Sequence, residues 1–214
     1  MWPVRFVKSA GAVVLAAGTL AGCGGSPVQA GSAAIVGDQR ITIASLDRDV
    51  RDWQRQFRDN AVANALKEQS GGSADDAVRQ ALGTLVRIRV ADQTARRAGV
   101  AVTEGRTDAV VAGFDRQSGG AAAITLANGL PVRYIRDVAR FFAIRDALAA
   151  RLLPPRVTSA QQVMDARQRA EGAISAVAAG MTIKINPRYG SFDRAHGMIG
   201  PVTTRLSGTE RGLG

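Results

Sequence analysis

Cysteine and histidine each occur once in 214 residues, as Cys23 and His196. One cysteine cannot form an internal disulfide. One cysteine and one histidine do not make a Cys/His zinc site, and no metal or other cofactor is expected. A serine triad would have to use His196, with Asp193 three residues before it. Gly197 and Gly200 close by predict a mobile segment there, not the locked geometry such a triad needs. Neither G-x-G-x-x-G nor G-x-x-x-x-G-K-S/T occurs, and the pairs Gly71-Gly72 and Gly119-Gly120 read as linkers between helices, so no phosphate-cradling loop is expected. Asp75-Asp76 comes nearest to a paired carboxylate, but Asp76 suits a helix cap and the remaining acids sit among arginines as solvated ion pairs. The chain is therefore read as a protein that is not an enzyme. Long apolar runs are also missing: the best stretch is nearer a dozen residues than the roughly 20 of a spanning helix.

That stretch is informative in another way. Arg5 and Lys8 form a basic start, Ala10 to Ala21 an apolar segment, and Leu20-Ala21-Gly22-Cys23 closes it, the layout of a secretory signal. The four residues resemble a bacterial lipobox. The resemblance implies cleavage of residues 1–22 and a diacylglyceryl group on the Cys23 sulfur, which anchors the protein in the cell membrane on its extracytoplasmic side. Two long acyl chains at ~0.8 kcal/mol per methylene hold a protein where one chain only dwells. The plainer alternative is a secreted protein with a chance cysteine near its cleavage site. Residues 23–32, lipidated at the start and rich in glycine and serine, read as a flexible tether.

Arg5 and Lys8 account for two of the +10 formal charges, which leaves +8 on the mature part, nearly all from arginine. Such a surface favours anionic partners: phospholipid headgroups, cell-wall polymers or acidic unfolded chains. The simplest reading is a solvated arginine-rich face. Nucleic acid is not expected as a partner, because the basic residues are dispersed, aromatics are only 5% and the chain carries an export signal.

Hydrophobic spacing predicts a mainly α domain over 33–193, with about five helices between two short strands, and a loose glycine-rich tail over 194–214. Ile35-Val36 and Ile41 to Ile43 flank a turn at Gly37-Asp38-Gln39. A first helix, capped by Ser45, carries Leu46, Val50, Trp53 and Phe57 on one stripe, with Arg48, Arg51, Asp52, Arg55 and Arg58 on the other faces. A second starts at a capping box of Ser73 and Asp76 and ends at Gly99; a third runs from Thr103 to Gly119-Gly120. A fourth extends from Pro131 to about Leu152, stopped by Pro154-Pro155. The fifth is capped by Thr158 with Gln161 or Ser159 with Gln162 and ends at Gly180; Thr182 to Asn186 then alternates as a strand.

The strand Ala34-Ile-Val-Gly-Asp-Gln-Arg-Ile-Thr42, the helix connections Gly99-Val-Ala-Val-Thr103 and Asn128-Gly-Leu-Pro131, and the ending Asn186-Pro-Arg-Tyr-Gly-Ser-Phe-Asp193 together resemble the SurA N-terminal domain family, the ending as in actinobacterial lipoproteins of that type. Chaperone regions of SurA, PrsA and trigger factor belong to this family. The resemblance implies a helical cradle for unfolded or exported polypeptide and a first strand, residues 34–43, that meets residues 182–186. Several members carry a parvulin-type prolyl isomerase before the final helix; here Leu153 to Thr158 is too short to hold one. The function implied is a membrane-anchored holdase without catalysis; the alternative is a structural lipoprotein that binds one envelope partner through its basic face. Phe141 and Phe142 lie about 100° apart on a helix, so one of them leaves the core and becomes a client-groove candidate. Arg188 and Tyr189 are the other contact candidates.

Overall fold

The computed structural model describes residues 30–70 and 76–202; Cys23 with its lipobox, and Ser73 of the expected capping box, lie outside the described residues. Strands β1 (Ser32–Val36) and β2 (Gln39–Thr42) form a hairpin. Gly37, at φ 61°, supplies the left-handed backbone its turn requires. Seven helices follow: α1 (Ile43–Arg58), α2 (Ala61–Gln69), α3 (Ala77–Arg97), α4 (Glu104–Asp115), α5 (Gly120–Ala127), α6 (Ile135–Ala150) and α7 (Ala160–Ala179). The chain ends in β3 (Ile183–Ile185), a 3-10 turn at Pro187–Tyr189, and a second hairpin, β4 (Ser191–Asp193) and β5 (Met198–Gly200).

The mainly α fold between short strands is as expected, but with seven helices among the described residues instead of about five. The first expected helix is two: Asn60 leaves the helical region and its side chain accepts a hydrogen bond from the Ala63 N–H, capping α2 anew. The other addition is α5, where the chain turns at Gly119 and Gly120 (φ 79° and 63°) directly into Gly-Ala-Ala-Ala-Ile-Thr-Leu-Ala. This segment has no charged residue and so no polar stripe; it is largely buried between α2 and α4, and its periodicity is silent. The cap of α1 is Thr42, not Ser45; the Ser45 N–H donates to Thr42 Oγ1 at 3.1 Å. Thr103 caps α4, and Ser159 and Gln162 form a complete capping box on α7, as their spacing predicts.

One core runs through the described residues. Leu46, Val50 and Trp53 of α1 and Leu82, Leu85 and Val86 of α3 join Val138, Phe141, Ile144 and Leu148 of α6. Ala166, Ala170, Ile174 and Ala178 line the inner face of α7; their small side chains let it sit close on the core. Antiparallel β1 is the centre of a three-stranded sheet, between β2 and β3, with Ala34 opposite Ile185 and Val36 opposite Ile183. The expected meeting of residues 34–43 with 182–186 is therefore made, through β1. Gly37 N–H to the Thr182 carbonyl and Asn186 N–H to the Ala33 carbonyl, both 2.9 Å, extend the ladder at each end.

A charged side chain sits inside this core. Lys67 of α2 is 2% exposed, with its ammonium 5.0 Å from the Trp53 ring centroid and 5.6 Å from that of Phe57. Among the described residues its one hydrogen-bond acceptor is the Gln80 side-chain oxygen. Two aromatic faces and an amide replace water only in part, so burial lowers the pKa of Lys67. A lowered lysine pKa means that folding disfavours the charged form. The penalty is full below the lowered value and disappears as pH rises from there towards the ordinary value of about 10.4. Lys67→Met, which keeps the packed stem, is expected to stabilise the fold at pH 7 by on the order of 1 kcal/mol and to flatten the rise in stability as pH climbs towards about 10.4. Urea unfolding of both proteins across pH 7 to 10.5 checks this, and a less stable Lys67→Met protein would show that the aromatic cage outweighs desolvation.

Candidate functional site

The ending Asn186-Pro-Arg-Tyr-Gly builds one wall of a groove, and each residue has a local task. The Asn186 side chain donates to the Ser32 carbonyl at 3.1 Å and accepts from the Arg188 N–H at 3.2 Å, tying the strand β1 to the start of a 3-10 turn. Pro187 occupies the first position of that turn, where it needs no N–H partner. Gly190 then reverses the chain at φ 118°; a Cβ there would collide with the Gly200 carbonyl oxygen, so only glycine lets β5 return beside β4. Residues 194–200, expected in a loose tail, are thus a turn and a strand. Asp193 Oδ1 accepts from the Ala195 and His196 N–H groups, and Asp193 Oδ2 lies 2.6 Å from His196 Nδ1.

The Asp193–His196 pair, which a triad would need, does come together. It closes a four-residue turn, and its hydrogen bonds hold the Asp193 carboxyl below its ordinary pKa. Ser175 faces the same cavity as His196, yet among the described residues no hydroxyl hydrogen-bonds to the imidazole. No group of three or more His, Cys, Asp or Glu is arranged to hold a metal ion among those residues.

The hairpin stands over α3 and encloses open space with it. One cavity of about 620 Å³ is floored by Arg79, Gln80, Gly83 and Arg87 and walled by Phe192, Met198 and Ile199. Through Arg87 and Met198 it continues into a second, about 270 Å³, between Val86 and Val90 of α3 and Ile174 and Ala178 of α7. At the other end it runs through Asp76 and Arg79 into a third, about 300 Å³, lined by Gln54, Val78, Arg188 and Tyr189. From Asp76 to Val90 the floor is about 21 Å long, the length of six or seven residues of extended chain.

The sequence-derived contact candidates fall around this groove in different ways. Arg188 and Tyr189 line its far end, with the Arg188 guanidinium 5.6 Å from the Tyr189 ring. Burial chiefly, and then the Asp47 carboxylate, push the Tyr189 hydroxyl up, against the pull of Arg188. Phe141 is 7% exposed and packs under the Arg87 guanidinium, 5.1 Å away. Phe142 does leave the core in part, but meets Phe114 edge-on at 5.3 Å and lies under Arg145 at 4.5 Å. The two phenylalanines line only a narrow side cleft of about 10 Å³, room for one water, beside Thr84 and Asn128. The apolar side chain most open to the groove is Met198, 60% exposed, which sequence reasoning missed. The signal for it was weak: Phe192-Asp193 and Met198-Ile199 are two-residue runs either side of a polar turn.

Charge in the groove is positive but held. Arg87 pairs with Glu171 at 3.2 Å, which also lies 3.9 Å from Arg145, and Arg79 pairs with Asp76. Arg79 and Arg87 are thereby fixed on the groove floor with part of their donor capacity still facing solvent, whereas Arg188 has no acid partner among the described residues.

The chain is thus a helical domain closed by the pairing of β1 with β3 and grooved along α3. The SurA-like N-terminal domain family matches residues 2–117, more than half of the chain, and the chain belongs to this family. The match covers β1 to α4, including the groove floor α3, and relates the protein to non-catalytic chaperone-type domains. Searches of curated proteins and of solved structures gave no match.

Gly190→Ala is expected to detach β4–β5 while leaving the helices in place. Hydrogen exchange should show lost protection confined to Ser191–Gly200, with a fall in global stability of about 1–3 kcal/mol from backbone strain. Unchanged protection in the hairpin would show that the chain can turn there without a left-handed glycine.

Proposed function

We infer that this protein is a lipid-anchored, extracytoplasmic holdase, which binds unfolded or exported polypeptides noncovalently and does not isomerise or cleave them. The observation that carries the reading is the α3 groove: open along about 21 Å of helix, apolar on its hairpin wall and at its Val86–Val90 end, and floored between them by Gln80 and by Arg79 and Arg87, each held by an acid. Such a lining suits non-native chain, which offers apolar side chains and unpaired backbone groups without a fixed shape. Family membership supports the same role. The connection between α6 and α7 spans only residues 151–159, which leaves no room there for a catalytic insertion. The sequence of residues 1–23 supports the anchor, and no described helix is long and apolar enough to cross a membrane.

The rival is a structural lipoprotein with a single native envelope partner, bound through its basic face. Aggregation of a model client, followed by light scattering at rising protein ratios beside a proline-limited refolding assay, separates these readings. A holdase suppresses scattering and leaves refolding unaccelerated; a saturable native partner without suppression supports the rival, and faster refolding would refute the noncatalytic reading. Met198→Glu, at an exposed position, should change stability by less than about 0.5 kcal/mol. It should raise the ratio needed for half-suppression roughly tenfold, equivalent to about 1.4 kcal/mol of binding. Equal suppression by Met198→Glu would move the client site away from the groove.

A further inference from the structure

Arg48, Arg51, Arg55 and Arg58 of α1 are all exposed. At 100° per residue they project within an arc of about 80°, a single arginine stripe about 15 Å long. Arg48, Arg51 and Arg58 have no ion-pair partner among the described residues, and Arg55 shares Asp52 with Arg133. Of the other acids of this face, one is buried and two flank the ends of the stripe. Asp49 is 2% exposed, capped by Arg133 and by the Tyr134 hydroxyl at 2.9 Å. Asp47 and Asp59 lie exposed beside its two ends.

The stripe also sits where the chain enters the domain. The Ile43 N–H, first in α1, donates to the Gly31 carbonyl at 2.9 Å, and Arg40 Nη2 donates to the Ala30 carbonyl at 2.7 Å. Ala30 is seven residues from Cys23, so even a fully extended tether spans at most about 25 Å. That is comparable to the length of α1 itself, about 24 Å. A domain held by so short a tether keeps the N-terminal end of α1 within about 25 Å of the bilayer.

We propose that the α1 arginine stripe docks the domain against anionic phospholipid headgroups, so that the protein lies on the membrane by a defined face instead of swinging on its tether. The proposal rests on the lipid-anchor reading for its geometry and on the stripe for its chemistry. Guanidinium groups bind phosphate oxygens in pairs of hydrogen bonds, which suits phosphodiester headgroups. Each engaged arginine is worth about fivefold in partition at an anionic surface.

The test uses the full chain, isolated in detergent and allowed to distribute between two separable vesicle populations, one of phosphatidylcholine and one of phosphatidylcholine with phosphatidylglycerol. The anchor contributes equally to both, so their ratio reads the headgroup interaction alone. The parent protein is expected to favour the anionic vesicles more than about tenfold at 0.1 M salt, where the screening length is about 10 Å, and to lose that preference at about 1 M. Joint Arg48→Gln, Arg51→Gln, Arg55→Gln and Arg58→Gln should bring the ratio to within about twofold of unity. The matched set Arg106→Gln, Arg116→Gln, Arg156→Gln and Arg169→Gln, exposed arginines elsewhere, should retain most of it; thermal unfolding of both variants verifies the fold. Equal effects of the two sets, or a parent ratio near unity, would overturn the proposal. So would a stripe variant that loses binding to polyglutamate while keeping its vesicle preference, which would assign the stripe to acidic polypeptide. Failure to float with neutral vesicles alone would remove the anchor and leave the stripe's preference to be read separately.

Discussion

The pairing of β1 with β3 is the constraint on which the rest depends, because it joins residues about 150 apart and places everything after α7. Three backbone registers, Ala34 with Ile185, Ile35 with Lys184 and Val36 with Ile183, fix the strands. Closing so long a loop costs chain entropy that grows only logarithmically with length, so a few ladder bonds and the burial of Ala33, Ala34, Val36, Ile183 and Ile185 are enough to hold it once the helices have packed. The Asn186 side chain then locks onto β1, and the turn that follows throws the hairpin across α3. Without that pairing the helical core could still form, but the groove would have one wall fewer. The site is a property of tertiary closure, not of any one helix.

How much of this was legible in the sequence follows from what each signal encodes. The apolar stripes of α3, α6 and α7 fall where Leu82, Val138 and Ile174 predict them, and Ser159 caps α7 as expected; at α3, however, Asp76, expected inside a capping box with Ser73, is the residue before the helix and its side chain caps nothing. The break at Asp59-Asn60 was hidden because apolar spacing resumes at Val62 and Leu66 on the far side, and only the Asn60 cap marks it. Helix α5 was hidden for the opposite reason, since a segment buried almost all round has no face to contrast. The groove was the least legible part. Phe141 and Phe142 stood out as adjacent aromatics, yet a tertiary neighbour meets each, Arg87 of α3 over the first and Phe114 of α4 edge-on against the second. Met198 carries no such signal; its exposure arises from a two-strand hairpin whose glycines matter through φ angles and close approaches that composition does not reveal.

Dispersal in sequence also concealed the order in the arginines. Spread along every helix they resemble a generic solubilising surface, whereas the fold sorts them into two kinds. Some are held by acids on neighbouring elements, as Arg87 is by Glu171 and Arg140 by Asp92 at 2.9 Å, and these brace helix against helix or edge the groove. Others, Arg48, Arg51 and Arg58 of α1 among them, face solvent with no acid partner among the described residues. The difference matters energetically. A guanidinium already fixed by a carboxylate loses little freedom when a ligand arrives, so the groove's arginines add orientation at small entropic cost. An unpaired, solvated arginine contributes through long-range charge that salt screens, and it acts best against an extended anionic surface. The same residue type thus serves short-range, preorganised contact in the groove and long-range attraction on α1, and the distinction is set by which acids the fold brings within reach.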